Sequence, residues 1–168
     1  MLPADDNDDP EHQAHTAHAG PAPAENRNAG AIPSLAGRRI LIAEDVATNQ
    51  VLLKAVLAPT GAEVEIVADG AALLRRYALA PADLILMDLQ VPGMGGITAM
   101  RRLRALDGAA PAVPVVALTA YARSADRKLA LDAGMDAYLA KPIVVAELYD
   151  LLRRLLPEGG NGPDVSAK

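Results

Sequence analysis

The chain has no cysteine, which excludes several kinds of protein at the start. Without thiols it has no disulfide framework, no thiolate metal site and no cysteine nucleophile. It also lacks an apolar run near the roughly 18 residues that a membrane span needs. Its N-terminus is acidic where a signal peptide would be basic and then apolar. We therefore expect a soluble cytoplasmic protein, without a membrane partner, that is stabilised by packing.

A surplus of positive charge is absent too. The net charge is −5, and residues 1–36 hold six acids against one base, while residues 158–168 hold two acids against one base. The segment between them is near neutral, with 13 acids and 14 bases. A nucleic-acid binder needs a basic footprint, so we expect no nucleic-acid partner.

The patterned part of the sequence, residues 37–157, has the length of one domain. Residues 1–36 have almost no large apolar side chain and cannot offset their ordering entropy, so we expect a disordered N-terminal tail. The Gly-rich residues 158–168 predict a flexible C-terminal tail. Three histidines of the N-terminal tail are spaced like one helix face: His12, His15 and His18. They could in principle hold a metal. Polar tails collect such residues without binding a metal, and the interpretation without a metal is favoured.

Five apolar segments predict β-strands, and a helical pattern follows each of them. The strands are expected at residues 38–43, 63–67, 84–87, 113–118 and 136–140. The helices are expected at residues 46–57, 71–79, after Gly96, 123–133 and 145–156. This alternation predicts a doubly wound α/β fold, a five-stranded parallel sheet of the flavodoxin-like (βα)5 kind with strand order 2-1-3-4-5.

Two helix faces can be assigned from the same pattern. The inner stripe of the first helix is expected to hold its apolar residues Val51, Leu52, Ala55 and Val56. The third helix is expected to turn three arginines to solvent: Arg101, Arg102 and Arg104.

Four of the five strands end in polar side chains. Glu44 and Asp45 follow the first strand, Asp88 the third, Thr119 the fourth and Lys141 the fifth. In the predicted strand order these ends meet at one edge of the sheet, which is where open α/β sheets bind ligands. One site is expected to collect all five residues.

The chemistry of that site follows from its residue types. Three carboxylates in one pocket repel each other unless a cation neutralises them. Oxygen ligands without histidine or cysteine favour Mg²⁺. A cation beside a lysine ammonium and a hydroxyl suits phosphoryl transfer. We therefore predict that Asp88 is a nucleophile that forms an aspartyl phosphate.

The motifs at these strand ends resemble the receiver domain of two-component signalling, the family of the chemotaxis response regulator. They are Ile42-Ala43-Glu44-Asp45, the run from Leu86 to Met94, Leu118-Thr119-Ala120 and the run from Asp136 to Pro142. The resemblance covers residues 38–156, roughly. It implies a phosphoacceptor signalling domain, whose own chemistry is limited to self-phosphorylation and self-dephosphorylation.

The resemblance also implies a role for each acidic residue. Asp88 would accept phosphate from a phosphohistidine. Glu44, Asp45 and Asp88, together with the backbone carbonyl of Gln90, would hold Mg²⁺.

Further roles implied by the resemblance concern the switch. Thr119 and Lys141 would bind the phosphoryl oxygens, and Tyr138 would change rotamer in step with Thr119. The Lys141-Pro142 bond resembles the family's cis peptide, which proline makes accessible.

The stretch from Glu44 to Gln50 is most similar to receivers of hybrid sensor histidine kinases, which exchange phosphate with a histidine phosphotransfer protein. The expected donor is therefore a histidine kinase or a histidine phosphotransfer protein. The output is expected to be a partner protein that the sequence does not name. A free-standing regulator and a fragment of a hybrid kinase are both compatible with the sequence.

Three positions depart from the family pattern or tune it. Gly95 stands where the family usually has aspartate, which should weaken the N-cap of the third helix by at most a few tenths of a kcal/mol. Gln90 and Tyr121 occupy positions that tune dephosphorylation in the family, and their identities do not rank the lifetime of the phosphate.

Other classes of function stay open at this stage. A haloacid dehalogenase-like phosphatase also uses a strand-end aspartate with Mg²⁺, but its second acid would stand where this chain has Gln90. A receiver-shaped interaction module that is never phosphorylated would be expected to lack Asp88, Thr119 or Lys141, and all three are present. Taken singly, Thr119 and Tyr138 could be ordinary strand residues.

Overall fold

The computed structural model describes residues 31–107, 112–120 and 124–157. Residues 1–30 with their three histidines, Tyr121 and the predicted C-terminal tail lie outside the described residues. The strands are β1 (Arg39–Ala43), β2 (Glu63–Val67), β3 (Leu84–Asp88), β4 (Val115–Thr119) and β5 (Ala137–Ala140). The helices are α1 (Ala47–Leu57), followed by a 3₁₀ turn (Ala58–Thr60), α2 (Gly70–Leu79), α3 (Gly96–Asp107), α4 (Ser124–Asp132) and α5 (Val145–Leu155).

The five strands form one parallel sheet in the order β2-β1-β3-β4-β5, which confirms the predicted fold. Strands β3 and β4 are buried over their whole length, because helices cover both faces of the sheet. Helices α1 and α5 pack on one face, and α2, α3 and α4 pack on the other. Strand β4 begins two residues later than predicted, directly after Pro114, which has no N–H to donate to a ladder.

The register aligns the carboxyl ends of the central strands. Asp88 is the last paired residue of β3, and Thr119 is the last paired residue of β4. Glu44 and Lys141 directly follow β1 and β5. All four residues therefore stand at the same edge of the sheet.

At the opposite edge, two aspartates fix the places where strands begin. Asp83 accepts hydrogen bonds from Arg38 Nη1 at 3.1 Å and from the backbone N–H of Arg39 at 2.7 Å. Asp136 Oδ2 accepts one from the backbone N–H of Val115 at 2.8 Å. These contacts join the start of β1 to the segment before β3, and the start of β4 to the segment before β5.

Arg104 does not belong to the solvated arginine face that the sequence predicts. Arg101 and Arg102 are exposed, but Arg104 is half-buried and donates to the carbonyls of Val113 at 2.7 Å and Gly134 at 2.9 Å. It also contacts Asp136 Oδ2 at 3.0 Å. The long stem of an arginine can lie along the protein surface and bring the guanidinium to backbone carbonyls outside the helix. The helical pattern of the sequence does not reveal such contacts.

The predicted inner stripe of α1 is wrong at three positions. Val51 and Leu52 are 68% and 42% exposed and Ala55 is exposed too, whereas Leu53 and Leu57 are buried and Val56 is partly buried against the core. Apolar residues occur on both faces of this helix. The face that packs is decided by where the helix starts after β1, so the pattern alone was ambiguous.

The packed part of the chain begins before the predicted boundary at residue 37. Leu35 is 2% exposed, and its backbone N–H donates to the carbonyl of Thr60 at 2.7 Å. A single leucine in a polar segment produces no periodic signal, so its place in the core could not be predicted from the pattern.

Among the described residues, no helix is both long and apolar enough to cross a bilayer.

Adjacent glycines at the start of α3 give a matched test of this packing. A Cβ on Gly96 would lie 2.6 Å from the carbonyl oxygen of Asp88 and 2.9 Å from Leu89 Cα, whereas a Cβ on Gly95 would meet nothing closer than 3.7 Å. We expect Gly96→Ala to lower the free energy of unfolding by about 1–3 kcal/mol, because backbone must move to admit the methyl group.

Gly95→Asp is the control, since it restores an N-cap side chain and should raise stability by a few tenths of a kcal/mol, roughly. Urea unfolding followed by circular dichroism measures both variants. A Gly96→Ala protein as stable as the parent would contradict the close approach.

Candidate functional site

Four strand ends deliver the functional side chains to one pocket, as the sequence predicts. Glu44 is fully buried, and Asp88 and Thr119 are each only 4% exposed. Asp45, which follows Glu44 at the mouth of the pocket, is exposed. The pocket thus has a buried floor of polar groups and one carboxylate open to solvent.

The three carboxylates form a tight group. One carboxylate oxygen from each of Glu44, Asp45 and Asp88 lies within 4.8 Å of the other two. In the parts of the chain that the structure describes, this is the one cluster of three or more residues with metal-ligating side chains. Like charges at this separation disfavour each other, so the cluster needs cations nearby.

Lys141 supplies one of those positive charges. Its Nζ donates to Glu44 Oε2 at 2.6 Å and also donates to Asp88 Oδ2. Burial alone would lower the pKa of Lys141, but the hydrogen bonds to Asp88 and Glu44 and the charges of both carboxylates raise it, and the net pKa lies above the ordinary lysine value. The side chain is therefore an ammonium at neutral pH.

The position of Lys141 is set by the backbone around it. Its N–H donates to the carbonyl of Thr119 at 2.7 Å, which continues the pairing of β4 with β5. The Lys141-Pro142 peptide bond is cis, as the resemblance implies. The chain turns away from the sheet at this point, directly after the lysine.

Asp88 is held from two sides. Its Oδ1 accepts the backbone N–H of Gln90 at 2.8 Å, while its Oδ2 accepts from Lys141. The Gln90 side chain is exposed. The backbone of Gln90 therefore lies next to the Asp88 carboxylate.

Glu44 has partners that the sequence analysis missed. Its Oε1 accepts from the backbone N–H of Val46 and from Asn49 Nδ2, each at 3.1 Å. Its carbonyl oxygen accepts from Gln50 Nε2 at 2.7 Å. The signal was present in the sequence, because the side chains of a helix that starts just after a strand-end acid can reach back to it.

The two predicted switch residues lie on the same face of neighbouring strands. Tyr138 pairs with Ala117, and Thr119 is two residues further along β4. Tyr138 is half-buried, and the guanidinium carbon of Arg127 lies 4.7 Å from the centre of its ring. This separation along the sheet, about 7 Å between diagonal neighbours, brings a tyrosine ring within reach of Thr119.

Comparison with known proteins identifies a family model and several relatives that match this chain. A family model described as the response regulator receiver domain matches residues 40–153. The sensor protein GacS of Pseudomonas syringae pv. syringae is 38% identical over 124 residues, which are 71% of this chain and 14% of GacS. The sensory transduction protein RegX3 of Mycobacterium tuberculosis is 36% identical over 122 residues, 73% of this chain and 52% of RegX3. The chain thus spans about half, or much less, of the length of these relatives.

Solved structures similar to this chain also contain receiver domains. The receiver domain of sensor histidine kinase PA1611 from Pseudomonas aeruginosa PAO1, which has a magnesium ion coordinated in its active site cleft, is 42% identical with a TM-score of 0.66, over 71% of this chain and 98% of that one. A chain from the complex of the Saccharomyces cerevisiae histidine phosphotransfer protein Ypd1 with the receiver domain of Ssk1 is 27% identical with a TM-score of 0.67, over 74% of this chain and 90% of that one.

The matched region contains the whole acidic cluster and all five strands of the sheet. Only the first residue of β1 lies outside it. The motifs at the strand ends, the strand order and the family match agree. This chain belongs to the response regulator receiver domains of two-component signalling.

Proposed function

We propose that this receiver takes a phosphoryl group from a phosphohistidine onto Asp88 in a Mg²⁺-dependent reaction, and that it signals through a partner protein. The observation that carries the proposal is the contact of Asp88 with the Lys141 ammonium inside a cluster of three carboxylates. A carboxylate held in this way is oriented for attack on phosphorus.

The donor atoms fit Mg²⁺. They are all carboxylate oxygens, they lie close to one another, and the carboxylate of Asp45 is exposed to solvent. Mg²⁺ prefers oxygen ligands and keeps several waters, which an open site allows. Glu44, Asp45, Asp88 and the carbonyl of Gln90 would hold the ion, which when bound would neutralise charge on the phosphoryl oxygens.

The transfer step makes one bond and breaks one. An oxygen of Asp88 forms a bond to phosphorus while the bond between phosphorus and the histidine nitrogen breaks, and the electron pair of that bond stays on the imidazole. Lys141 turns its ammonium from the Asp88 carboxylate to an oxygen of the transferred group. Glu44 keeps that ammonium in place during the exchange, because its Oε1 is already held by Val46 and Asn49.

The donor is best explained as a histidine phosphotransfer protein or a histidine kinase. Helix α1 starts at the edge of the site, and three large apolar residues are exposed there: Val46, which precedes the helix, and Val51 and Leu52 within it. Exposed apolar side chains next to a reactive group are suited to bind a protein partner. The similarity to the receivers of GacS and PA1611, both parts of sensor kinases, supports a receiver of the hybrid-kinase type.

The phosphatase alternative has less support. It needs a second acid two positions after the nucleophile to protonate the leaving group, and the residue there is Gln90. Its exposed amide cannot serve as a general acid.

The first prediction identifies the phosphoacceptor. With acetyl phosphate and Mg²⁺ the parent chain should gain one hydroxylamine-sensitive phosphate, and Asp88→Asn should gain none, because an amide keeps the shape but is not a nucleophile. Phosphate-affinity gel electrophoresis measures the product. Asp132→Asn is the control, since that carboxylate is exposed and bonds only Lys128 among the described residues, so it should react like the parent. Labelling of Asp88→Asn at the parental rate would refute the assignment.

The second prediction concerns the metal. Mg²⁺ at a hundred times its dissociation constant should raise the free energy of unfolding by about 2.7 kcal/mol. Asp45→Asn should remove most of this increase without unfolding the chain, because Asp45 is exposed. Thermal unfolding with and without Mg²⁺ tests both, and Asp150→Asn, far along α5, should respond like the parent. A parent chain whose melting is indifferent to Mg²⁺ would count against the acidic site.

The third prediction concerns the switch. Beryllofluoride, a phosphoryl mimic, should bring Thr119 and Lys141 toward Asp88 and leave space for Tyr138 to turn inward. NMR shifts should then spread from Asp88 to Tyr138 and along α4, β5 and α5. Thr119→Ala should still bind the mimic but confine the shifts to the pocket, and Thr119→Ser, which keeps the hydroxyl, should restore them. Distant shifts that survive in Thr119→Ala would show that the threonine is not the link.

A further inference from the structure

Helices α4 and α5 leave a groove over β5, which is the edge strand of the sheet. The groove consists of two adjoining depressions of about 250 and 500 Å³ that share Tyr138, Leu151 and Arg154. Arg127 of α4 lines the smaller depression, and Glu147 and Asp150 of α5 line the larger one. We call the whole feature the β5 groove, the smaller depression its arginine end and the larger its acidic end.

The arginine end carries positive charge without an ion-pair partner among the described residues. Neither Arg127 nor Arg154 makes an ion pair with another residue that the structure describes, and the Arg127 guanidinium lies over the ring of Tyr138. The carboxylate of Asp136, in the same depression, is engaged by Arg104 and by the backbone N–H of Val115. Two guanidinium groups therefore face an open groove beside an aromatic ring.

The N-terminal segment joins the described part of the chain beside α5, one of the two helices that border this groove. Arg153, the neighbour of Arg154 in α5, donates to the carbonyl oxygen of Ala31, the first described residue. Nineteen residues lie between Glu11 and Ala31, and a flexible chain of that length has an r.m.s. span of about 25 Å. The segment 5–11 holds five carboxylates and no base: Asp5, Asp6, Asp8, Asp9 and Glu11.

We propose that the acidic segment 5–11 docks in cis at the arginine end of the β5 groove, where its carboxylates pair with Arg127 and Arg154. The tether keeps the segment at an effective concentration of the order of millimolar, so several weak pairs are sufficient. Glu147, which has no ion-pair partner among the described residues, repels the segment from the acidic end and fixes where it binds.

The docked segment has a consequence for the face around Tyr138. Because Arg127 covers the tyrosine ring, carboxylates that bind Arg127 also cover Tyr138. A partner protein that recognises α4, β5 and α5 must displace the segment first. The docking itself does not require a phosphate on Asp88, so it stands or falls separately from the proposed function.

The absence of cysteine allows a direct test in the full chain. Asn7→Cys, in the middle of the acidic segment, provides a single site for a nitroxide spin label. In an otherwise ¹⁵N-labelled chain, the label should cause loss of amide signals of β5 and of the facing turns of α4 and α5, and leave α2 and the start of α3 unaffected. Loss of signal on another surface, or equally over the whole domain, overturns the proposal.

Charge variants test the contacts. The pair Arg127→Gln and Arg154→Gln should restore the lost signals, and so should replacing the four aspartates with asparagine and Glu11 with glutamine. The matched control is the pair Arg101→Gln and Arg102→Gln, two exposed arginines of α3, which should leave the signal loss unchanged. Restoration by the control pair as well would mean non-specific charge attraction and would overturn the site.

Two further measurements make the result decisive. Raising the ionic strength from about 0.1 M to 1 M shortens the Debye length from about 10 Å to 3 Å and should restore the signals. Mixing ¹⁵N-labelled chain without the spin label with unlabelled chain that carries it should cause no loss, since docking is in cis. Signal loss in the mixture as large as in the spin-labelled ¹⁵N chain would show docking between molecules and would overturn the proposal.

Discussion

The contact of the Lys141 ammonium with two buried carboxylates is the interaction on which the site depends. Glu44 and Asp88 are almost inaccessible to water, and an unpaired charge in such a place is costly by several kcal/mol. One ammonium relieves both, and a second cation is still needed because Asp45 adds a third carboxylate. Because Lys141 pairs with both of them, the two carboxylates can be buried in the folded protein. The site as a whole keeps enough negative charge to attract a divalent ion. Its geometry requires the register of the sheet, since no two of the four strand-end residues come from the same strand.

The sheet supplies that register through packing. The two central strands are buried from end to end, so sliding either by one residue would turn its apolar side chains out of one core and into the other. Gly96 adds a local constraint, because α3 begins in close contact with the backbone at Asp88. The loop that follows Asp88 therefore lies between a buried strand and a helix that starts in close contact with it.

Much of this was predictable from the sequence, and the failures have identifiable causes. Apolar runs that end in Asp88 or Glu44 specify both a buried strand and the location of its polar end, so the strand order and the site could be predicted together. Helix α1 has apolar residues on both faces, so its pattern could not decide between Val51 and Leu53 as the buried side chain. Asn49 donates to Glu44, and Arg104 donates to the carbonyl of Val113, just before β4. Both hydrogen bonds depend on how far a side chain reaches, which the periodicity of the sequence does not encode.

The contacts of Asp83 and Asp136 give the sheet two edges of different character. At the edge where the strands begin, carboxylates tie backbone N–H groups of β1 and β4 to neighbouring segments. At the edge where they end, the carboxylates of Glu44 and Asp88 share a single ammonium, that of Lys141. In β4 the carboxylate of Asp136 holds the backbone N–H of Val115, at the opposite end of the strand from Thr119. A change of side-chain partners at the carboxyl end of the sheet therefore breaks none of the bonds that hold the strands where they begin.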